Sequence, residues 1–477
     1  MTALRATLAA QAKAVLGAAR AGLPDARGHR PFLAAMIIDA LGSGIFLPFT
    51  LLFFVQAAGL PLVKVGIAVS AASAVSLPAT LLFGWVVDRF GPRGILVLAN
   101  VARCLVYACY PLIRSAPELF VAVLAASLCD KAYWSAHRPF VAAISVQGER
   151  GRWYGMISAL RNLGLGLGAL AGGVLISADG AAGLRALALV NAASFALAAL
   201  LLSRERAGRA PAGSALAAEH GGSVAPTWRM VLRDRPFLSV VAAKLAFVVC
   251  ALSMTLVLPL YLIRNAGLPG WIAGTVFAAN CALVVIAQSG VVHAIEPRSR
   301  ISAIGLAGLL YAVAGAVFWS VDALTAAVAA AAAIAVAGML IYTCGEMIVS
   351  PTSDALATDL AAASARGRYL SVYQLSWSVG GLIAPVAGTM LLAHGPSWFW
   401  LAFTATALAG TVLIRGARPA EHRNPPTSAT KSPARPHETA APPAITGQGR
   451  RQRQIAGSQP AQQGRRTAAP RGPATSR

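Results

Sequence analysis

Gly84-Trp85-Val86-Val87-Asp88-Arg89-Phe90-Gly91-Pro92-Arg93 is the stretch on which the reading of this chain turns. A small residue such as Gly84 lets two helix backbones approach closely. Asp88 is an acid at a helix end. It is able to hold Arg89 or Arg93, or to meet the positive end of a neighbouring helix. Gly91 permits a tight turn. Apolar runs flank the stretch on both sides, at about 63–86 and 94–113. A charged turn between two such runs reads as a short loop joining membrane spans.

The rest of the chain supports that reading. Apolar residues make up 57% of the 477 residues and charged residues only 12%, against about 25% charged in soluble domains. Mean hydropathy is +0.65. So few charges cannot cover the surface of a soluble protein of this size. A soluble enzyme, a secreted disulfide scaffold and a largely disordered chain are therefore set aside. The six cysteines fall inside apolar runs with no CxxC spacing, so neither a zinc site nor a disulfide framework is expected.

A span needs roughly 20 apolar residues. Twelve are expected, at about 31–55, 63–86, 94–113, 118–144, 154–177, 184–203, 236–263, 271–294, 301–320, 324–350, 370–393 and 397–415. The fold class is thus an all-α polytopic membrane protein of two six-helix bundles, 31–203 and 236–415. A polar linker at 204–235 joins them. An Ala-rich arm at 1–30 precedes them; its scattered cations interrupt any signal-peptide core. Residues 416–477 carry ten prolines, eleven Lys or Arg, two Glu and no large aliphatic residue beyond Ile445 and Ile455. That composition predicts a disordered basic tail.

The formal net charge is +23. Fourteen arginines lie in the loops after spans 2, 4, 6, 8 and 10, against Lys64, Arg114, Arg185 and Arg264 on the opposite side. This bias places both termini in the cytoplasm. It explains the surplus charge as topology and tail, so no nucleic-acid partner is expected.

The two halves repeat. Arg30-Pro31-Phe32-Leu33 opens span 1 and Arg235-Pro236-Phe237-Leu238 opens span 7. At that offset Asp39 aligns with Lys244. Arg150-Gly151-Arg152-Trp153 likewise matches Arg366-Gly367-Arg368-Tyr369, and at that offset Asp130 aligns with Glu346. Both copies enter from one side, which makes a parallel repeat with its site at the interface of the halves.

The turn at 84–93 resembles the signature loop of the major facilitator superfamily, G-x-x-x-D-R-x-G-x-R, carried here by Gly84, Asp88, Arg89, Gly91 and Arg93. The resemblance covers about 30–415. It implies a latch that steadies the outward-open state. The second copy is degenerate: Gly290 remains, but Ala294 stands where the acid would repeat. Span 5 carries Gly155, Gly164, Gly168, Gly172 and Gly173, similar to the family's antiporter motif. Ala169 replaces the motif's proline, while span 11 keeps one at Pro385. In span 4 the arginine usual in drug exporters is Ser127, with Asp130 and Lys131 close by. Arg103 of span 3 is the alternative cation.

A charge at the bilayer centre costs about 2.5–3.5 kcal/mol or more, so such groups face a cavity or a partner. The set is Asp39, Arg103, Asp130, Lys131, His137, Arg138, Arg161, Lys244 and Glu346. Burial favours the neutral form of a carboxyl and a nearby cation the ionised form. An acid between those effects can load and release a proton. Asp39 is the leading candidate, with Lys244 or Arg103 as its partner; Asp130 and Glu346 follow. Lys131 and Arg138 read as snorkelling or paired groups.

The resemblance implies a secondary transporter in the cell membrane, exporting a small apolar or cationic compound in exchange for protons. The expected partners are that substrate, protons and the lipid bilayer, and a monomer is expected. No cofactor, metal or catalytic residue is expected. The alternative is an importer of the same superfamily, for which Asp359-x6-Arg366 is half of a sugar-carrier motif. A membrane sensor or enzyme finds no GxxxxGK[ST] or HExxH to support it.

Overall fold

The computed structural model describes residues 24, 27–145, 149–205, 228–321, 327–362 and 365–417. Most of the N-terminal arm, the linker at 206–227 and the tail from 418 lie outside the described residues. The chain divides into two units at Pro426. Everything below concerns the first.

Among the described residues the protein is helical, with no strand. Ten helices are long and apolar enough to cross a membrane. One of them, Arg150–Arg204, is two spans merged. Gly180 breaks it at φ 51°, ψ −116°, a backbone turn that favours glycine. Span 2 escapes the count because it is interrupted: Leu62–Ser76 gives way to Ala79–Phe90 at Pro78. Proline removes the donor and clashes with the preceding turn. Two spans from Arg150–Arg204 and the broken span 2 complete the expected twelve.

The remaining spans are Arg30–Ala57 (span 1), Pro92–Leu112 (3), Ala116–Ile144 (4), Gly270–Ile295 (8), Arg300–Trp319 (9), Val328–Leu360 (10), Arg366–His394 (11) and Pro396–Ala417 (12). Span 7 is Arg235–Leu256 continued by Leu258–Arg264. A short helix, Trp228–Arg233, leads into it.

Span 10 departs from expectation. The sequence places its end near 350, just before Pro351. The helix instead runs to Leu360 with Pro351 inside it. Pro351 cannot donate to the carbonyl of Met347. Gln288 Nε2 of span 8 donates to that carbonyl instead, at 3.1 Å. Satisfied from outside, the helix continues, as broken spans do where a neighbour re-pairs the freed group.

Let the face at which spans 1 and 7 begin be proximal and the other distal. The halves meet distally. Span 2 packs on span 11 and span 5 on span 8. Ser70 Oγ accepts from the Val386 backbone at 3.1 Å, and Ser177 Oγ from the Trp271 backbone at 2.9 Å. Close approach is possible because the facing residues are small. A Cβ on Gly270 would lie 2.9 Å from the Gly173 carbonyl oxygen, and one on Gly166 2.9 Å from the Cys281 Cβ. On the proximal side this packing stops. Ala79–Phe90 lies against spans 3 and 4, and a Cβ on Gly84, Gly155, Gly290 or Gly381 would meet nothing. The molecule is sealed distally and open proximally.

Candidate functional site

Two clusters of charge lie on the walls of the proximal opening, one in each half. The first is centred on Arg103 of span 3. Its Nη2 lies 2.6 Å from Asp130 Oδ1 of span 4, and its Nη1 lies 3.7 Å from Asp39 Oδ2 of span 1. Ser43 Oγ, one turn along span 1, donates to Asp39 Oδ1 at 3.3 Å. The guanidinium is also stacked over Tyr133, 4.2 Å from the ring centroid, and 5.2 Å from that of Phe195. A planar fork with five donors can hold two carboxylates and a ring at once. Arg103 is 5% exposed, Asp39 11% and Asp130 50%. Asp130 therefore presents its free side to the opening. With both acids ionised the trio carries one net negative charge.

The second cluster is centred on Lys244 of span 7. Its Nζ lies 3.3 Å from Asp354 Oδ1 of span 10, and Tyr373 of span 11 donates its hydroxyl to the same oxygen at 2.7 Å. Lys244 is 3% exposed and Asp354 58%. The ammonium sits over Tyr373 and Trp377, 5.4 and 5.9 Å from their centroids. Asp354 is absent from the expected site. It lies beyond Pro351, where the sequence reading ends span 10, and only the continued helix carries it to Lys244. The signal available in the sequence was the unclaimed acid three residues past Pro351.

The structure thus corrects one pairing. Asp39 and Lys244 align in the repeat but do not meet; each takes a cation or an acid from its own half. Arg103 is Asp39's partner, the second of the two options the sequence offers. Glu346 is also placed differently. With span 10 running to Leu360, it lies roughly 21 Å from the proximal end by helical rise. There Asn280 Nδ2 of span 8 donates to its Oε2 at 2.7 Å and to Thr343 Oγ1 at 2.9 Å.

The signature residues divide into two roles. Arg93 donates through Nε to the Leu202 carbonyl at 3.3 Å and through Nη2 to that of Ser203. It caps the end of span 6, whose last carbonyls have no helical partner. Gly91 turns the chain at φ 81°. Asp88 and Arg89 are exposed, and neither has a partner among the described residues. Asp88 does not hold Arg89 or Arg93 in this state.

The glycines of span 5 divide too. Gly164, Gly168 and Gly172 face span 1: a Cβ would meet Ala40 Cβ at 2.7 Å from Gly164, the Leu41 carbonyl from Gly168, and the Ile45 carbonyl at 2.6 Å from Gly172. Gly173 and Ala169 face Gly270 and Gly274 of span 8. One stripe builds the first half; the next closes the distal seal. A Cβ on Gly155 would meet nothing within 4 Å.

Each half has its own N-terminal anchor. Glu205 accepts from the Phe32 backbone at 3.0 Å and from His29 Nδ1 at 2.7 Å. Asp234 accepts from the Phe237 backbone at 3.1 Å and from the Tyr369 hydroxyl at 2.9 Å. Asp359 is paired with Arg300 of span 9. Among the described residues no group of three His, Cys, Asp or Glu could hold a metal.

The arrangement fits what comparison with known proteins finds. The Major Facilitator Superfamily profile matches residues 32–361 and 323–458. An Na(+), Li(+), K(+)/H(+) antiporter of Planococcus maritimus is 23% identical over 399 residues, covering 77% of this chain and 89% of that protein. Multidrug resistance protein MdtH of Escherichia coli is 23% identical over 383 residues, covering 76% and 88%. The crystal structure of a bacterial homologue of the iron transporter ferroportin in an inward-facing state shares the fold, with a TM-score of 0.63 at 16% identity over 83% of this chain and 99% of that one. A parallel repeat of six spans, the signature turn and a matching profile across both halves lead to one assignment: the chain belongs to the major facilitator superfamily of membrane transporters.

Proposed function

We propose that the protein is a proton-coupled exporter of a small apolar or cationic compound, working by alternating access. The observation that carries the reading is the Asp39–Arg103–Asp130 trio, one cation shared by two acids. One net negative charge in a low-dielectric wall attracts one positive charge strongly. A proton and a cationic substrate answer the same demand, so each is bound at the other's expense. That competition is what an exchanger needs. Asp39, buried and braced by Ser43, is assigned the proton; Asp130, half exposed, is assigned the substrate side. Relatives that exchange cations for protons or confer drug resistance support this class of cargo.

The fourteen-to-four bias of loop cations puts the proximal face in the cytoplasm. On that assignment the structure is the inward-open state, and the exposed Asp88 is the released latch. The importer reading has weaker support, because Ala143 stands where the acid matching Asp359 would precede Arg150.

Proteoliposome flux under an imposed pH gradient tests the proposal. Wild-type protein should move a cationic dye against its gradient, and Asp39→Asn should abolish gradient-driven movement while sparing passive exchange. Full proton-driven flux in Asp39→Asn would overturn the assignment. Reporter fusions at 228 should read cytoplasmic; an external signal would reverse the direction.

A further inference from the structure

Arg161 of span 5 is in an unusual position for a charge. It lies roughly 16 Å along its helix from the proximal end, at a depth where a cation is costly unless paired or wetted. Its side chain is exposed, and it has no carboxylate or hydrogen-bond partner among the described residues. Its guanidinium sits over the indole of Trp134, 4.6 Å from the ring centroid. Trp134 is 41% exposed. It stands one turn from Asp130 on the same face of span 4, since residues four apart are helix neighbours.

The other half supplies the contrast. There Lys244 lies over Trp377 with the same cation-on-indole geometry, but it is buried and ion-paired to Asp354. That cation is fixed. Arg161 covers its indole with no ion-pair partner among the described residues. Beside the indole, Asp130 presents its free side to the opening within a trio of net charge −1. An indole next to a half-exposed carboxylate is the pairing that recognises organic cations.

We propose that Arg161 is an internal stand-in for a cationic substrate. It occupies the Trp134 face in the empty protein and is displaced when an organic cation binds between Trp134 and Asp130. The groups facing the indole are Tyr133 and His137 of span 4, with ring centroids 5.2 and 5.3 Å away, and Arg161 itself. Arg138, one turn along span 4, is a further exposed cation, and Lys131 stands beside Asp130. Holding the face covered keeps the indole from small, weakly bound cations. A substrate must outbid a guanidinium, so the residue sets a threshold of affinity. The inference rests on the cationic class of substrate proposed above and adds the residue that selects within it.

The test is equilibrium binding of tetraphenylphosphonium to the full chain in nanodiscs, with no pH gradient. Arg161→Ala and Arg161→Gln should each bind it about three- to five-fold more tightly than wild type, the worth of one exposed cation–π contact. Trp134→Leu should weaken binding, and in that background Arg161→Ala should change nothing. A gain of equal size without the indole would mean simple charge repulsion and overturn the proposal, as would unchanged or weaker binding in both Arg161 variants. A second reading uses the unsubstituted protein. Tetraphenylphosphonium should change the fluorescence that is lost in Trp134→Phe; no change there overturns the proposal even if the arginine variants fail to insert. Lack of proton coupling leaves these readouts untouched. Absence of binding in wild type and every variant would sink the cationic substrate class itself.

Discussion

Arg103 and Lys244 are both buried cations laid over a tyrosine, one in each half, yet they hold different things. Arg103 joins two acids from two helices, and its cluster is left with a net negative charge. Lys244 meets one acid, and its cluster is neutral. A guanidinium fork can split between carboxylates; an ammonium is a compact point charge. The difference separates tasks within a repeated architecture. Within each cluster's own ion pairs, the first half has one acid more than it has cations, and the second is balanced. Packing differs in the same sense. The span 5 glycines meet backbone of span 1, whereas Gly380 and Gly388 of span 11 meet the side chains of Val248 and Val257.

The largest expected effect lies in that packing. A methyl at Gly168 runs into the Leu41 carbonyl, which cannot turn aside, whereas Val248 opposite Gly380 can rotate. Gly168→Ala should cost about 3 kcal/mol or prevent folding, and Gly380→Ala about 1 kcal/mol. Thermal unfolding in detergent would measure both, and equal losses would break the comparison. The cations come next. Arg103→Lys removes one of two charge-assisted contacts worth about 1.5–3 kcal/mol. Proton-driven flux should fall at least about ten-fold, while Lys244→Arg should stay within about two-fold of wild type. Loss in both would show that the second cluster also exchanges charge.

The asymmetry within the second cluster is sharpened by its own pair. Asp354→Asn leaves a buried lysine unpaired and should destabilise by about 3 kcal/mol. Lys244→Met leaves a carboxylate that water reaches, so it should cost less than Asp354→Asn, and the double substitution should recover most of the loss. Additive losses would deny the pairing. The smallest expected change in stability is at Asp88. It has no partner in this state, so Asp88→Asn should melt within about 0.5 kcal/mol of wild type. If Asp88 acts as the proposed latch, the variant's flux should nevertheless fall. A large shift in melting would mean that Asp88 is engaged already.

Much of this was legible in the residues. Apolar runs and loop arginines located twelve spans, and the turn at 84–93 with the glycines of span 5 identified the family. Arg103 was named as the cation that replaces the missing one of span 4, and it does meet both acids. The sequence offers Asp39 two partners because alignment in a repeat says which positions are equivalent, not which face each other. Asp354 was missed for a different reason. Pro351 is a helix-ending signal unless a neighbour takes the orphaned carbonyl, and that neighbour, Gln288, comes from another helix, 59 residues from the Met347 carbonyl. Local sequence carries no trace of such a repair. The role of Gly173 was likewise hidden, since its spacing marks a stripe but not whether the stripe faces its own half or the other.

The distal seal is built of glycines, alanine and two serine hydroxyls, with no ion pair across it among the described residues. The proximal end instead carries the exposed charges Asp88, Arg89 and Arg152 and the Arg300–Asp359 pair. The two ends therefore answer to different variables. Screening over about 8 Å at physiological ionic strength weakens exposed charges and leaves van der Waals contact between backbones untouched. Salt should tune how readily the proximal mouth closes. The distal end should be insensitive to salt and should respond to the bilayer instead, opening or holding as lipid packing presses the helices together.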